Sequence, residues 1–184
     1  MKVIAVIGSP RPQGNSTALA HAFLKGAEAA GHQTVVYDLN TLTVKGCQGC
    51  RTCKEKGCDC ILQDDLVPYW HDLHEAGALV VSAPNYAGQV CGPMVTYMNR
   101  HYCLLDKDWR SRLRPGKKVL GIFSQGNANR KVYLNHYQWY MHDFQNRDMT
   151  LLDILVHTSE DSVAPDSPLA VHAYRLGLEL QTLP

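Results

Sequence analysis

Lys2-Val3-Ile4-Ala5-Val6-Ile7-Gly8-Ser9-Pro10-Arg11-Pro12-Gln13-Gly14-Asn15-Ser16-Thr17 is the stretch that decides how this chain is read. From Lys2 to Gly8 the residues form a continuous apolar run of strand length, of the kind buried on both faces of a parallel sheet. The run stops at Gly8-Ser9-Pro10, and helical composition follows from Ser16 to Ala30, closed by Gly31. The order is strand, loop, helix. The loop is dense in hydroxyls and glycine and carries one arginine. Free backbone N–H groups at a helix start, together with the helix dipole, make a ready anion site. Ser9, Ser16 and Thr17 offer hydroxyl donors, Asn15 offers a cap or an amide, and Arg11 offers a positive charge. Neither G-x-x-x-x-G-K-[ST] nor G-x-G-x-x-G is present, which leaves a mononucleotide phosphate as the matching ligand. The plainer alternative is that Asn15 or Ser16 only caps the helix.

Outward from this unit the same alternation continues. Thr34 to Leu39 reads as a second strand, and Leu66, Tyr69, Trp70 and Leu73 recur at helical spacing within Asp64 to Ala76. Ala78 to Ala83 is the best central strand, stopped by Pro84-Asn85. A helix opens near Pro93 and carries Met94, Tyr97, Met98, Tyr102 and Leu105. Val119 to Phe123 and Leu151 to Val156 are strands four and five. Between them lies an aromatic stripe of Tyr133, Tyr137, Tyr140 and Phe144. Ser167-Pro168 opens a last helix with Leu169, Ala173, Leu176 and Leu180. Five strands alternating with helices predict a parallel sheet covered on both faces, in the order 2-1-3-4-5, with ligands at the carboxyl ends of the strands. The loops that matter are therefore Ser9 to Asn15, Pro84 to Cys91 and Ser124 to Asn129. In the second, Pro84, Asn85, Tyr86 and Gly88 suit a flat ring, because glycine permits close backbone approach and tyrosine supplies a flat face. In the third, Ser124, Gln125 and Gly126 either bond a ligand or turn the chain.

Bulk properties narrow the function classes. A chain of 184 residues with 45% apolar and 19% charged residues and a formal net charge of +1 reads as one soluble domain over residues 1–184, with no field that would draw nucleic acid. No apolar run reaches the ~18 residues that a membrane span needs. Seven cysteines, five of them within residues 45–63, are unlike a disulfide framework, so the expected location is a reducing, cytoplasmic compartment. Cys47-x2-Cys50-x2-Cys53, followed by Cys58 and Cys60, is a ligand pattern. Compact runs of this kind favour a 4Fe-4S cluster over zinc, with either Cys58 or Cys60 as fourth ligand. Free thiols or an occasional disulfide are the alternative. His71 and His74, one helical turn apart, lack a third ligand and read as a solvated face. The aromatics from Tyr133 to Phe144, with Trp139 among them, exceed what one core-facing stripe needs and suggest a subunit interface, with a well-packed helix of a single chain as the alternative.

Gly8-Ser9-Pro10-Arg11 with Gly14-Asn15-Ser16-Thr17, then Ser82-Ala83-Pro84-Asn85-Tyr86-Ala87-Gly88, resembles the NADPH-dependent FMN reductase family, nearly end to end. The resemblance implies a flavodoxin-like three-layer α/β sandwich that binds FMN. The first loop would hold its phosphate, and Pro84, Asn85, Tyr86 and Gly88 would flank the isoalloxazine. The cysteine motif is similar to that of the iron-sulfur flavoproteins, a branch of the same broad family. These likenesses imply an oxidoreductase using NAD(P)H as donor and a quinone, nitro or azo compound, flavin or ferredoxin-like protein as acceptor, assembled as a homodimer or homotetramer. Where the family often has a lysine and an aspartate-arginine pair, this chain has Val95 and Asn99-Arg100. Arg100 is expected to pair with a neighbouring carboxylate. Hydride transfer between stacked rings needs no protein base, so no catalytic side chain is expected.

Overall fold

In the computed structural model, which describes residues 1–183, strand β1 (Lys2–Ile7) sends Val3 and Ala5 to one face of a sheet and Ile4 and Val6 to the other, all four fully buried. That two-sided burial is why the opening run shows no polar alternation. The remaining elements are α1 (Asn15–Ala29), β2 (Gln33–Asp38), α2 (Thr52–Lys56), α3 (Val67–Glu75), β3 (Ala78–Tyr86), β4 (Gln89–Val90), α4 (Gly92–Arg100), β5 (Lys118–Ser124), α5 (Leu134–Gln145), β6 (Thr150–His157) and α6 (Pro168–Leu178). The parallel path runs β2-β1-β3-β5-β6, with β4 folded back antiparallel on the end of β3. Leaving aside that two-residue strand, the order is the 2-1-3-4-5 expected from the alternation.

Helices cover both faces. On one side α1 and α6 pack Leu19, Ala20, Phe23, Ala173 and Leu176 over Val3, Ala5, Val80, Leu120 and Ile122. On the other, α3, α4 and α5 place Tyr69, Leu73, Met94, Tyr97, Tyr137 and Phe144 over Ile4, Val6, Leu79, Val81 and Phe123. α1 and α6 cross at two glycines. A Cβ built on Gly26 would fall 2.0 Å from Tyr174 O, and one on Gly177 would fall 2.0 Å from Phe23 O. The two backbones therefore touch directly.

Three details depart from the sequence reading. β3 does not stop at Pro84 but runs on to Tyr86. β1 has already ended beside Ser82, so on that side the missing proline N–H removes no ladder bond. The Pro84 carbonyl instead accepts the Cys91 N–H at 3.1 Å. The turn Ala87-Gly88 then has positive φ at both residues, 50° and 82°, the left-handed pair that a tight hairpin requires. Lastly, the cysteine-rich segment contains a short helix, α2, ended by Gly57 in the left-handed conformation. No helix among the described residues is long and apolar enough to cross a membrane.

Candidate functional site

The carboxyl ends of β1, β3, β5 and β6 open into one cleft of about 490 Å³, lined by Ser9, Arg11, Gly14, Asn15, Pro84, Asn85, Tyr86, Ser124, Gln125, Gly126, Ser159 and Glu160. Its size lies within the range of roughly 300–1,000 Å³ usual for small-ligand sites. It brings together nine of the residues singled out in the three loops. Three others stand apart. Ser16 and Thr17 lie one step inside α1, and Gly88 forms the hairpin tip. Two wall residues were missed. Ser159 and Glu160 follow β6, and the rule that selected the loops after the other strands also applies to that strand.

The first loop is built around the Arg11 carbonyl. It accepts the Gly14 N–H at 2.9 Å, the Ser9 hydroxyl at 3.2 Å and the Thr17 hydroxyl at 3.3 Å. Asn40 steadies the loop from β2, donating to the Ser9 carbonyl at 2.7 Å. A Cβ on Gly14 would fall 2.7 Å from Ser9 Oγ and 3.2 Å from Arg11 O, so a larger residue there would push the Ser9 hydroxyl out of place. Gly14 is also the helix N-cap, without a side-chain cap, and the first intrahelical bond runs from Ala18 N–H to its carbonyl. The N–H groups of Asn15, Ser16 and Thr17 therefore have no intrahelical acceptor, which is the arrangement that receives an anion. The Ser16 hydroxyl is fully buried and has no partner among the described residues.

Asn15 has a different task from capping. Its amide donates to Asp161 O at 3.0 Å and its carbonyl accepts the Val163 N–H at 2.8 Å, which ties the loop after β6 to the start of α1. Asn15→Ala is expected to free that loop at a local cost of about 1–2 kcal/mol. Hydrogen exchange read at the Val163 amide checks it, and unchanged protection would contradict the role.

The ring loop is held from α5. The Asn85 carbonyl oxygen accepts the Gly88 N–H at 3.1 Å, while Tyr140 donates to Gln89 Oε1 at 3.3 Å. The Asn85 amide nitrogen is buried without a partner among the described residues. Tyr86, 40% exposed, stands at the open edge. In the third loop Gln125 is a brace. Its amide donates to Asn127 O and Asn129 O, and its carbonyl accepts the Tyr137 hydroxyl at 3.0 Å. Burial pushes the Tyr137 hydroxyl up to about 12, so it remains a donor at neutral pH. What this loop can offer a ligand is backbone beside Gly126 and the Ser124 hydroxyl.

Cys47, Cys50, Cys53 and Cys60 line a second, much smaller hollow of about 10 Å³, together with Arg100, Tyr102 and Cys103; Cys58 is not part of its wall. Among the described residues no group of three or more His, Cys, Asp or Glu side chains is already placed to hold a metal ion. The donor set suits an iron-sulfur cluster, because five thiols, those four and Cys103, line one space, one more than a cluster takes. The hollow as it stands is smaller than such a cluster, and two of its thiols, Cys47 and Cys50, are exposed. His74 hydrogen-bonds Asp59 at 3.0 Å and His71 pairs with Glu75, as a solvated face would. Arg100 does pair with a carboxylate, that of Asp64, both side chains being fully buried.

A family model described as NADPH-dependent FMN reductase matches residues 1–145. An iron-sulfur flavoprotein of Methanocaldococcus jannaschii is 35% identical over 100 residues, which is 54% of this chain and 51% of the relative. The matches span about half the length of such curated relatives. Among solved structures, the NAD(P)H:quinone oxidoreductase from Methanothermobacter marburgensis superposes with a TM-score of 0.72 at 15% identity, covering 98% of this chain and 97% of that one. An FMN-dependent NADH-azoreductase from Bacillus anthracis gives 0.66 at 15% identity, covering 99% and 98%. Flavodoxins superpose as well, and the fold is flavodoxin-like.

Proposed function

The chain belongs to the NADPH-dependent FMN reductase family, and from that footing we propose that it is an FMN-dependent oxidoreductase that takes electrons from NAD(P)H and passes them to a quinone, a nitro or azo compound, a flavin or a protein. The observation that carries this reading is the cleft itself. One end is lined by Ser9, Arg11 and Asn15, where α1 begins and the N–H groups of Asn15 to Thr17 lack intrahelical acceptors, and the other is lined by Pro84, Asn85 and Tyr86. A long ligand with an anionic tail and a flat head suits that polarity. FMN, when bound, supplies the exchange of electrons in pairs or singly. The residues bind and orient. The α1 N-terminus with Arg11 would hold the phosphate, the Ser9 hydroxyl joining only by giving up its bond to the Arg11 carbonyl, the Asn85 amide would satisfy an acceptor on the ring edge, and Tyr86 would cover the ring from water. The backbone of Ser124, Gln125 and Gly126 would line the rest.

Anaerobic mixing of the FMN-loaded protein with NADH and with NADPH tests the donor. The flavin band is expected to bleach with at least one nucleotide; no bleaching with either removes the reductase reading.

A second reading is an electron carrier for a ferredoxin-like partner. It is favoured by the ring of Cys47, Cys50, Cys53 and Cys60 and by relatives named iron-sulfur flavoproteins. Here the cysteines would hold a 4Fe-4S cluster that relays single electrons. For assembly into dimers or tetramers we favour the outer face of α5, where Trp139 is 70% exposed. The neighbouring sheet edge is unsuited to pairing, because Ile154 N–H is taken by Asp153 at 2.7 Å and Ile154 O by Arg130 at 2.8 Å. Sedimentation that returns only the monomer mass would remove this assignment.

A further inference from the structure

Arg100 does more in this structure than neutralise Asp64. The guanidinium sits at the end of α4 with only 1% of the residue exposed. Its Nη1 donates to Asp64 and to the Lys45 carbonyl, and its Nε donates to Cys60 Sγ at 3.1 Å. Its Nη2 is buried without a partner among the described residues, and the guanidinium forms part of the wall of the thiol-lined hollow. A buried, unsatisfied cationic N–H at that wall asks for an acceptor in the hollow.

A second cation lies beneath the same loop. Lys54, next to Cys53, is 6% exposed. It donates to the carbonyls of Tyr102 at 2.7 Å and Leu105 at 2.6 Å, and its ammonium lies 4.2 Å from the Tyr102 ring centre and 4.9 Å from that of Trp109. Among the described residues it forms no ion pair. Arg100 is paired with the buried Asp64 carboxylate, whereas the carboxylate whose charge reaches Lys54 is that of Asp106. Cys58 lies outside this wall. Its thiol does not face the hollow, and its carbonyl accepts from Arg112 at 2.8 Å.

We propose that Arg100 is the positioning residue of the cysteine loop: its Nε–H holds Cys60, not Cys58, as the fourth thiolate beside Cys47, Cys50 and Cys53, and keeps the reduction potential of the group they bind high. The inference rests on the cluster reading given above. The potential follows from charge: reduction adds an electron to an already anionic group, and a hydrogen-bonding cation at a ligand sulfur stabilises the reduced form more than the oxidised one.

The test uses the full chain reconstituted anaerobically with iron and sulfide, with iron counted chemically and the potential read by redox titration followed by electron paramagnetic resonance. Cys58→Ser is expected to keep the wild-type iron content and Cys60→Ser to lose it. The double variant Asp64→Asn/Arg100→Gln, which removes both charges of the buried pair, is expected to titrate at a lower potential than Asp64→Asn alone. If the double variant does not fold, Arg100→Lys serves, since it retains a cation opposite Asp64 but cannot reproduce the fork that reaches Cys60; its potential is expected to fall too. Full iron content with an unchanged potential, or iron lost with Cys58→Ser and kept with Cys60→Ser, overturns this proposal while leaving the cluster reading intact. A wild-type chain that binds no iron and sulfide overturns both.

Discussion

Gly177→Ala is expected to destabilise the protein by about 3 kcal/mol or to prevent folding, the upper end of what overpacking costs. The added methyl would fall 2.0 Å from Phe23 O and 2.8 Å from Ala27 N, which are backbone atoms in the middle of α1 and cannot rotate away. Only separation of α1 from α6 relieves the contact, and that strips cover from Val3, Ala5, Val80, Leu120 and Ile122. Gly26→Ala is expected to do the same from the other helix, its methyl falling 2.0 Å from Tyr174 O. Gly46→Ala, with nothing within 4 Å, is the control and is expected to stay within about 0.5 kcal/mol of the parent. Urea unfolding of the three variants checks the series; equal midpoints would show that the helices are not in backbone contact. Because Asn15 ties the start of α1 to the loop that leads into α6, loss of the crossing should also weaken ligand binding.

Arg100→Ala is the second large loss, expected at about 3–5 kcal/mol, because it leaves the Asp64 carboxylate buried and unpaired. The double replacement with Asp64→Asn is expected to recover part of that loss, since it removes the orphaned charge as well. The sign with pH follows from Asp64. Burial alone would raise its pKa, but the hydrogen bond from Arg100 and those from the Lys45 and Leu66 N–H groups hold it below the usual carboxylate range. A depressed carboxylate contributes stability that is fully present above its unfolded-state pKa and is lost as pH falls through its folded-state pKa. Acid unfolding should therefore steepen below about pH 4 in the parent and be shallower in Asp64→Asn. Parallel slopes would contradict the assignment.

The parallel sheet was legible because both-sided burial leaves a recognisable trace: Val3 to Ile7, Ala78 to Ala83 and Val119 to Phe123 read as apolar runs in which Ser82 is the one polar residue. The helix starts were legible through their caps, as at Ser167, whose hydroxyl accepts the Ala170 N–H. Much of the cleft followed from topology, which assigns ligands to strand ends whatever the loop composition. What was not legible depends on contacts between distant residues. Gly26 and Gly177 form one crossing although 151 positions apart, and nothing near either reveals it. Asn15 looks like a cap by residue type, yet the loop after β6 claims its amide. Gln125 looks like a ligand donor, yet Tyr137 and its own loop use both ends. Among the cysteines, spacing allowed Cys58 and Cys60 equally; only the fold turns Cys60 toward the hollow and toward Arg100.

Parallel titrations with FMN and with riboflavin, followed by flavin fluorescence and by heat of association, bear most directly on the anion cradle at the start of α1. The two ligands share the ring and the ribityl chain and differ only in the phosphate. If charge-assisted bonds from the Asn15 to Thr17 amides and from Arg11 hold that phosphate, each contributing about 1.5–3 kcal/mol, FMN should bind at least about 100-fold more tightly than riboflavin. Equal affinities for the two, or no binding of FMN at all, would contradict it.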